Sequence, residues 1–169
     1  MLVTGSCNRL VETFKLDMSS KFEMSDLGCM TYFLVLEVHQ VKAGILVNQR
    51  KYASELLVKF AMENCKPVST HSVPGTKLVK DDGHEKVDGR TCRSLIGSLL
   101  YLCASRPAIA FTVNMLSRFM QSPSDMHFKC AKRVLRYIQG TLDMGFSTQK
   151  ALFRWLASLM LIGLVLIKR

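Results

Sequence analysis

The sequence has no C-x-x-C pair and no opening in which a basic stretch leads into an apolar run. The first absence removes the usual zinc frameworks. His127 and Cys130 stand at H-x-x-C spacing, but no second pair completes four ligands. The second absence removes a secretory signal. The six cysteines, Cys7, Cys29, Cys65, Cys92, Cys103 and Cys130, therefore read as reduced and mostly packing residues of an intracellular chain, cytoplasmic or nuclear. Acid is scarce as well: 13 Asp and Glu face 23 Lys and Arg, for a formal net charge of +10. That balance favours anionic partners, chiefly nucleic acid. A basic protein without such a partner is the alternative.

What is present suits a folded chain. Of 169 residues, 49% are hydrophobic and 21% charged, which fits a buried core rather than disorder. The positive excess lies in the second half: residues 1–30 carry net −1, and residues 91–150 carry net +6.

Leu2-Val3-Thr4 is a short strand-like run ended by Gly5-Ser6. Ser6 or Asn8 can cap a helix over residues 8–23, where Leu10, Val11, Phe14 and Met18 recur at helical spacing. Tyr32 to Val38 is rich in aromatic and β-branched types and reads as a strand. Lys42-Ala43-Gly44 turns the chain, and Ile45-Leu46-Val47 returns to complete a hairpin. Residues 49–63 read as a helix with Tyr52, Leu56, Leu57 and Phe60 on one face.

Residues 64–89 are punctuated by Pro67, Pro74, Gly75, Asp81, Asp82, Gly83 and Gly89, and read as a long surface loop. Three helices follow. The first spans about 90–104 with Leu95, Leu99, Leu102 and Cys103 inward. The second spans about 107–121 with Pro107 in its first turn. The third spans about 124–139 and ends at Gly140. On this last helix Lys129, Lys132, Arg133 and Arg136 recur at three- and four-residue spacing and form one basic face, opposite Val134, Leu135 and Ile138. Such a face is either simply solvated or turned to phosphates.

Seven landmarks in order resemble copia-type retrotransposon reverse transcriptases. They are residues 22–28 (FEMSDLG), 32–38 (YFLVLEV), 48–52 (NQRKY), 65–68 (CKPV), 95–102 (LIGSLLYL), 106–111 (RPAIAF) and 133–141 (RVLRYIQGT). The resemblance covers residues 1–150 and implies an α+β fold, a small antiparallel palm hairpin followed by a mainly helical thumb-like bundle. It divides the chain into a palm end at 1–63, a linker at 64–89, a thumb or connection segment at 90–150 and an apolar tail at 151–169. It also suggests a plant source.

By that resemblance, Tyr32, Phe33, Leu34, Val35 and Glu37 belong to the element that positions a primer 3′ end. Lys129, Lys132, Arg133 and Arg136 would follow the backbone of an RNA or DNA template–primer. Two departures stand out. The family usually has glycine where Val35 stands, so Val35 is expected to obstruct the hairpin's approach to nucleic acid. It usually has aspartate where Ala108 stands, so a helix-start interaction is expected to be lost.

The resemblance also implies where chemistry belongs. The family's Tyr-x-Asp-Asp motif, whose carboxylates hold magnesium, immediately precedes the segment matching residues 1–6. The chain is thus expected to be a non-catalytic fragment that takes no cofactor of its own. Asp81-Asp82 sits in the polar loop and is no substitute. With the rest of the palm sheet missing, the hairpin is expected to show unpaired edges.

Residues 155–167 resemble nothing in the family in their own frame. One permitted back-translation, shifted one base earlier, resembles the start of the family's ribonuclease H domain, so a frameshift near Arg154 is the expectation. The competing readings of this tail are a tail-anchored membrane segment or a self-associating patch. At thirteen residues it is shorter than the roughly 20 a bilayer span needs.

Overall fold

The computed structural model describes residues 3, 7–41, 44–76 and 78–148. The apolar tail at 151–169, with its membrane, self-association and frameshift readings, lies outside them, as do most of the opening run 2–6 and the turn residues Lys42 and Ala43. Among the described residues no helix is long and apolar enough to cross a membrane.

The chain divides into two compact units, Met1–Met30 and Thr31–Arg169. The first contains helix α1, Asn8–Lys21. Its N-cap is Cys7, whose side chain makes no capping bond, and Asn8 is its first helical residue rather than its cap; Ser6 lies outside the described residues. None of its residues is buried, and Leu10 and Phe14 of the expected inner face are exposed. A salt bridge of 2.9 Å from Lys15 to Asp26 ties the helix to the segment after it. There Asp26 also accepts the Gly28 N–H, forming the small turn that Gly28 closes at φ 75°.

In the second unit four antiparallel strands lie in the order β1-β2-β3-β4: Tyr32–Phe33, Leu36–Val41, Gly44–Asn48 and Phe146–Thr148. The expected hairpin is present as β2 and β3, with Val38 opposite Val47. Leu36, Val38 and Val47 are buried. The continuous strand expected over 32–38 is not. Phe33 pairs with Leu36, so the chain reverses through Leu34 and Val35, at φ 46° and 67°. Positive φ at both central residues of a two-residue loop is the type I′ pattern, whose twist matches that of paired strands.

Strand β4, which sequence patterning did not reveal, pairs with β3, so the expected exposure of both hairpin edges is corrected. Gly145 permits that approach, because a Cβ there would sit 2.5 Å from the Val47 carbonyl oxygen.

The helices are α2 (Arg50–Lys59), α3 (Gly89–Leu102), α4 (Pro107–Ser117) and α5 (Asp125–Gln139). Helix α2 stops short of residue 63. Its last turn closes with Met62 N–H donating to Leu57 O and Ala61 N–H to Val58 O, while Ala61 takes φ 51°. That is a Schellman end built on alanine rather than glycine, which hides it from sequence reading. Helix α3 starts where Asp88 accepts the N–H groups of Arg90 and Thr91. Helix α4 has Pro107 at its start and no acidic residue in its first turn. Ala108 stands exposed in that turn, where an aspartate would meet the helix's positive end.

One core joins all four helices. Leu56, Leu57, Leu95, Ile96, Leu99, Ile109, Leu116, Leu135 and Ile138 are among its buried members. Cys103, expected inward, packs against this core only partly buried.

Candidate nucleic-acid interface

Helix α5 is fixed at its start before it presents any charge. Ser124 caps it, and the box is reciprocal: the Ser124 N–H donates to Nδ1 of His127 at 3.0 Å, and the His127 N–H points to the Ser124 oxygen. The Ser124 hydroxyl also donates to the Asp82 carboxylate. Two backbone bonds join the same stretches, Val87 N–H to Pro123 O and Asp125 N–H to Glu85 O. The loop 64–89 is thus clasped to the helix rather than free.

The Ser124 hydroxyl bond holds the Asp82 carboxyl below its usual range. Burial lowers the proton affinity of His127 against the opposing pull of Asp82. Its ring stacks on Phe119 at 4.3 Å. With Nδ1 spent on the cap, His127 has a structural role that the H-x-x-C spacing with Cys130 did not suggest. Among the described residues, no three His, Cys, Asp or Glu side chains come together as a metal site.

The four cations share one side of α5, with Ala131, Val134, Leu135 and Ile138 buried on the other. Their surroundings differ. Lys129 is exposed and pairs with Asp125 at 2.6 Å, one turn earlier. The Lys132 ammonium lies 4.7 Å from the Phe128 ring centroid. Arg133 donates to the Thr70 hydroxyl at 2.9 Å, and Arg136 Nε donates to the Lys66 carbonyl at 2.9 Å. The Val68 N–H returns a bond to the Arg136 carbonyl. Both arginines therefore staple residues 66–70 along the helix, whereas the contacts of the two lysines, with Asp125 and Phe128, lie within α5.

The hairpin residues are held in an equally specific way. Tyr32 and Leu34 are 52% and 59% exposed, and Phe33, Val35 and Glu37 are half-buried. The Glu37 carboxylate accepts the Lys51 N–H at 2.9 Å. It thereby caps α2, whose own N-cap Gln49 supplies no side-chain bond. The Tyr101 hydroxyl, from α3, donates to the Leu34 carbonyl at 2.5 Å. Its ring meets Tyr52 edge-on at 5.2 Å. Burial pushes both phenols up, so each remains a donor at neutral pH.

Sequence reasoning missed Tyr101, the Asp82 clasp and Arg106. Arg106 is only 5% exposed, and its guanidinium donates to the Thr141 hydroxyl and the Leu142 carbonyl, each at 2.9 Å. It fixes the turn after α5, ahead of β4. Its position within residues 106–111 was a signal of sorts, but its burial was not legible there.

The structure thus carries an antiparallel hairpin on a helical bundle, with cations along one helix. Comparison with known proteins identifies the family it resembles. Residues 1–74 match the family described as "Reverse transcriptase (RNA-dependent DNA polymerase)". The chain is 36% identical over 136 residues to the retrovirus-related Pol polyprotein from transposon RE1 of Arabidopsis thaliana, covering 80% of this chain and 9% of that protein. It is 34% identical over 145 residues to the polyprotein from transposon TNT 1-94 of Nicotiana tabacum, covering 80% of this chain and 11% of that one. An uncharacterized mitochondrial protein of Arabidopsis thaliana is 38% identical over 137 residues, 56% of its length. No solved structure matches.

The chain is a relative of the copia-type retrotransposon Pol polyproteins and carries part of their reverse transcriptase. It spans about a tenth of the polyproteins it matches.

Proposed function

We propose that these residues form a positioning part, not the metal-ion part, of a copia-type reverse transcriptase, holding a template–primer duplex by its backbone. The observation that supports this most directly is the cationic side of α5. Four cations line one helix face, and among the described residues the Lys129–Asp125 pair is the one ion pair they form. An aligned row of this kind meets successive phosphates and gains from counterion release. Tyr32 and Leu34 at the exposed hairpin tip add apolar surface suited to a sugar or base edge.

Polymerisation of this class needs carboxylates that hold two magnesium ions. The consecutive aspartates Asp81 and Asp82 do not fit that task. The Asp82 carboxylate is already engaged by the Ser124 hydroxyl and the His84 N–H. We assign no metal and no bond-making step to this chain.

The test is the affinity of the full chain for a labelled template–primer duplex across a series of KCl concentrations. The slope of log Kd against log salt should fall by about 0.9 for each lysine neutralised in Lys129→Gln and Lys132→Gln. Salt-independent binding, or a slope the two variants share with the parent, refutes the reading.

A further inference from the structure

We propose that Tyr101 is a positioning residue for the primer-facing hairpin, fixing which way the Leu34–Val35 turn presents its peptide; this rests on the template–primer reading above. The turn is an unfavourable one for its residues. Type I′ loops favour Asn and Gly because both central residues take positive φ. Here they are Leu34 and Val35, at φ 46° and 67°. A β-branched residue in that region is rare, and it persists only where its surroundings over-determine it.

The surroundings do so here. The carbonyl of Leu34 belongs to the peptide between the two central residues. Flipping that peptide would give a type II′ turn, in which Val35 would relax to negative φ but Leu34 would enter a first central position suited to glycine. The flip would also turn the Leu34 carbonyl away from the Tyr101 hydroxyl that donates to it. The hydroxyl thus reinforces the orientation that spares Leu34 and strains Val35.

Its own place is set by the bundle. The Tyr101 ring packs edge-on against Tyr52, whose hydroxyl donates to the Ser98 carbonyl on α3. A second tie, Glu37 on the Lys51 N–H, holds the base of the hairpin to α2. The exposed Tyr32 and Leu34 side chains flank the locked peptide, so its orientation decides how they meet a recessed primer end.

The experiment uses the full chain, with Tyr101→Phe and Val35→Gly alone and combined. Amide exchange at Val35 and Leu36 is read by NMR. Beside it is read the ratio of affinities for a recessed-3′-end duplex and a blunt duplex of equal length. Tyr101→Phe should speed exchange about fivefold, the value of one hydrogen bond, and drive the end-preference ratio toward one. Val35→Gly should cancel both effects, because an unstrained turn needs no lock.

Exchange and ratio both unmoved by Tyr101→Phe would overturn the proposal. So would a double variant as impaired as Tyr101→Phe alone, which would make Tyr101 a packing residue only. If exchange responds and is rescued but the parent chain prefers neither duplex, the lock stands and the template–primer reading fails.

Discussion

The helical bundle and the hairpin tip of the same compact unit are stabilised in opposite ways. The bundle is satisfied from within. Helices α2 to α5 close on one buried core, and α3 and α5 begin at Asp88 and Ser124, side chains suited to capping. The tip instead places Leu34 and Val35 in a backbone region suited to glycine and leaves Tyr32 and Leu34 largely exposed. What keeps it in shape comes from the bundle, through Tyr101 and Glu37. A region that spends its residues on packing can fold by its own rules; a region that presents a surface borrows its order. Strain collecting at a presented surface is the pattern expected of a functional element.

The sharpest way to break this contrast is to remove the support. Leu99 is fully buried among the bundle's core residues. Leu99→Ala should lower unfolding stability by about 3 kcal/mol, from lost transfer energy and the cavity left behind. Because the tip leans on α3, its near-ultraviolet tyrosine signal should be lost in the same urea transition as helical ellipticity. Two separate transitions would show that the hairpin does not depend on the bundle.

The reverse experiment relieves the tip. Val35→Gly places at φ 67° a residue with no Cβ to clash, and should raise stability by about 1 kcal/mol despite glycine's greater chain entropy. Glycine, which the resemblance implies at this position, would suit the turn itself as well as a close approach of nucleic acid. A melting temperature that falls on this substitution would mean the turn is not strained.

This same turn marks where the sequence stopped being legible. The helices could be read because their apolar residues recur every three or four positions and their ends carry Asp, Ser, Pro or Gly at the places backbone geometry asks for them. The β2–β3 hairpin was readable from β-branched content. The break at Leu34–Val35 was not, because two aliphatic residues give no turn signal. The Ala61 helix end was hidden for the same reason, and β4 is too short to show a period. Among the site residues, the cations of α5 were legible as a face. The stapling of its two arginines to residues 66–70 depends on a loop packed across the helix, which local spacing cannot encode. Tyr101 and Asp82 act across 67 and 42 residues of chain, so only the folded molecule could bring them forward.

The smallest effect expected separates the bundle's capping charge from its packing. Asp88 accepts bonds from the Thr91 hydroxyl and from the Thr91 and Arg90 N–H groups, which lower its carboxyl from 3.8 to about 2. A carboxyl depressed by folding adds stability above its unfolded value, and that contribution fades as pH falls through the folded one. The bundle should therefore lose melting temperature between about pH 4 and pH 2, with Asp82, also lowered by its Ser124 bond, adding to the same slope. Asparagine caps a helix nearly as well as aspartate but does not titrate. Asp88→Asn should leave the helix intact and flatten the decline by a few degrees, as followed by circular dichroism at each pH. Parallel curves for the two proteins would mean that the charge on Asp88 contributes nothing, and that the cap works through hydrogen-bond geometry alone.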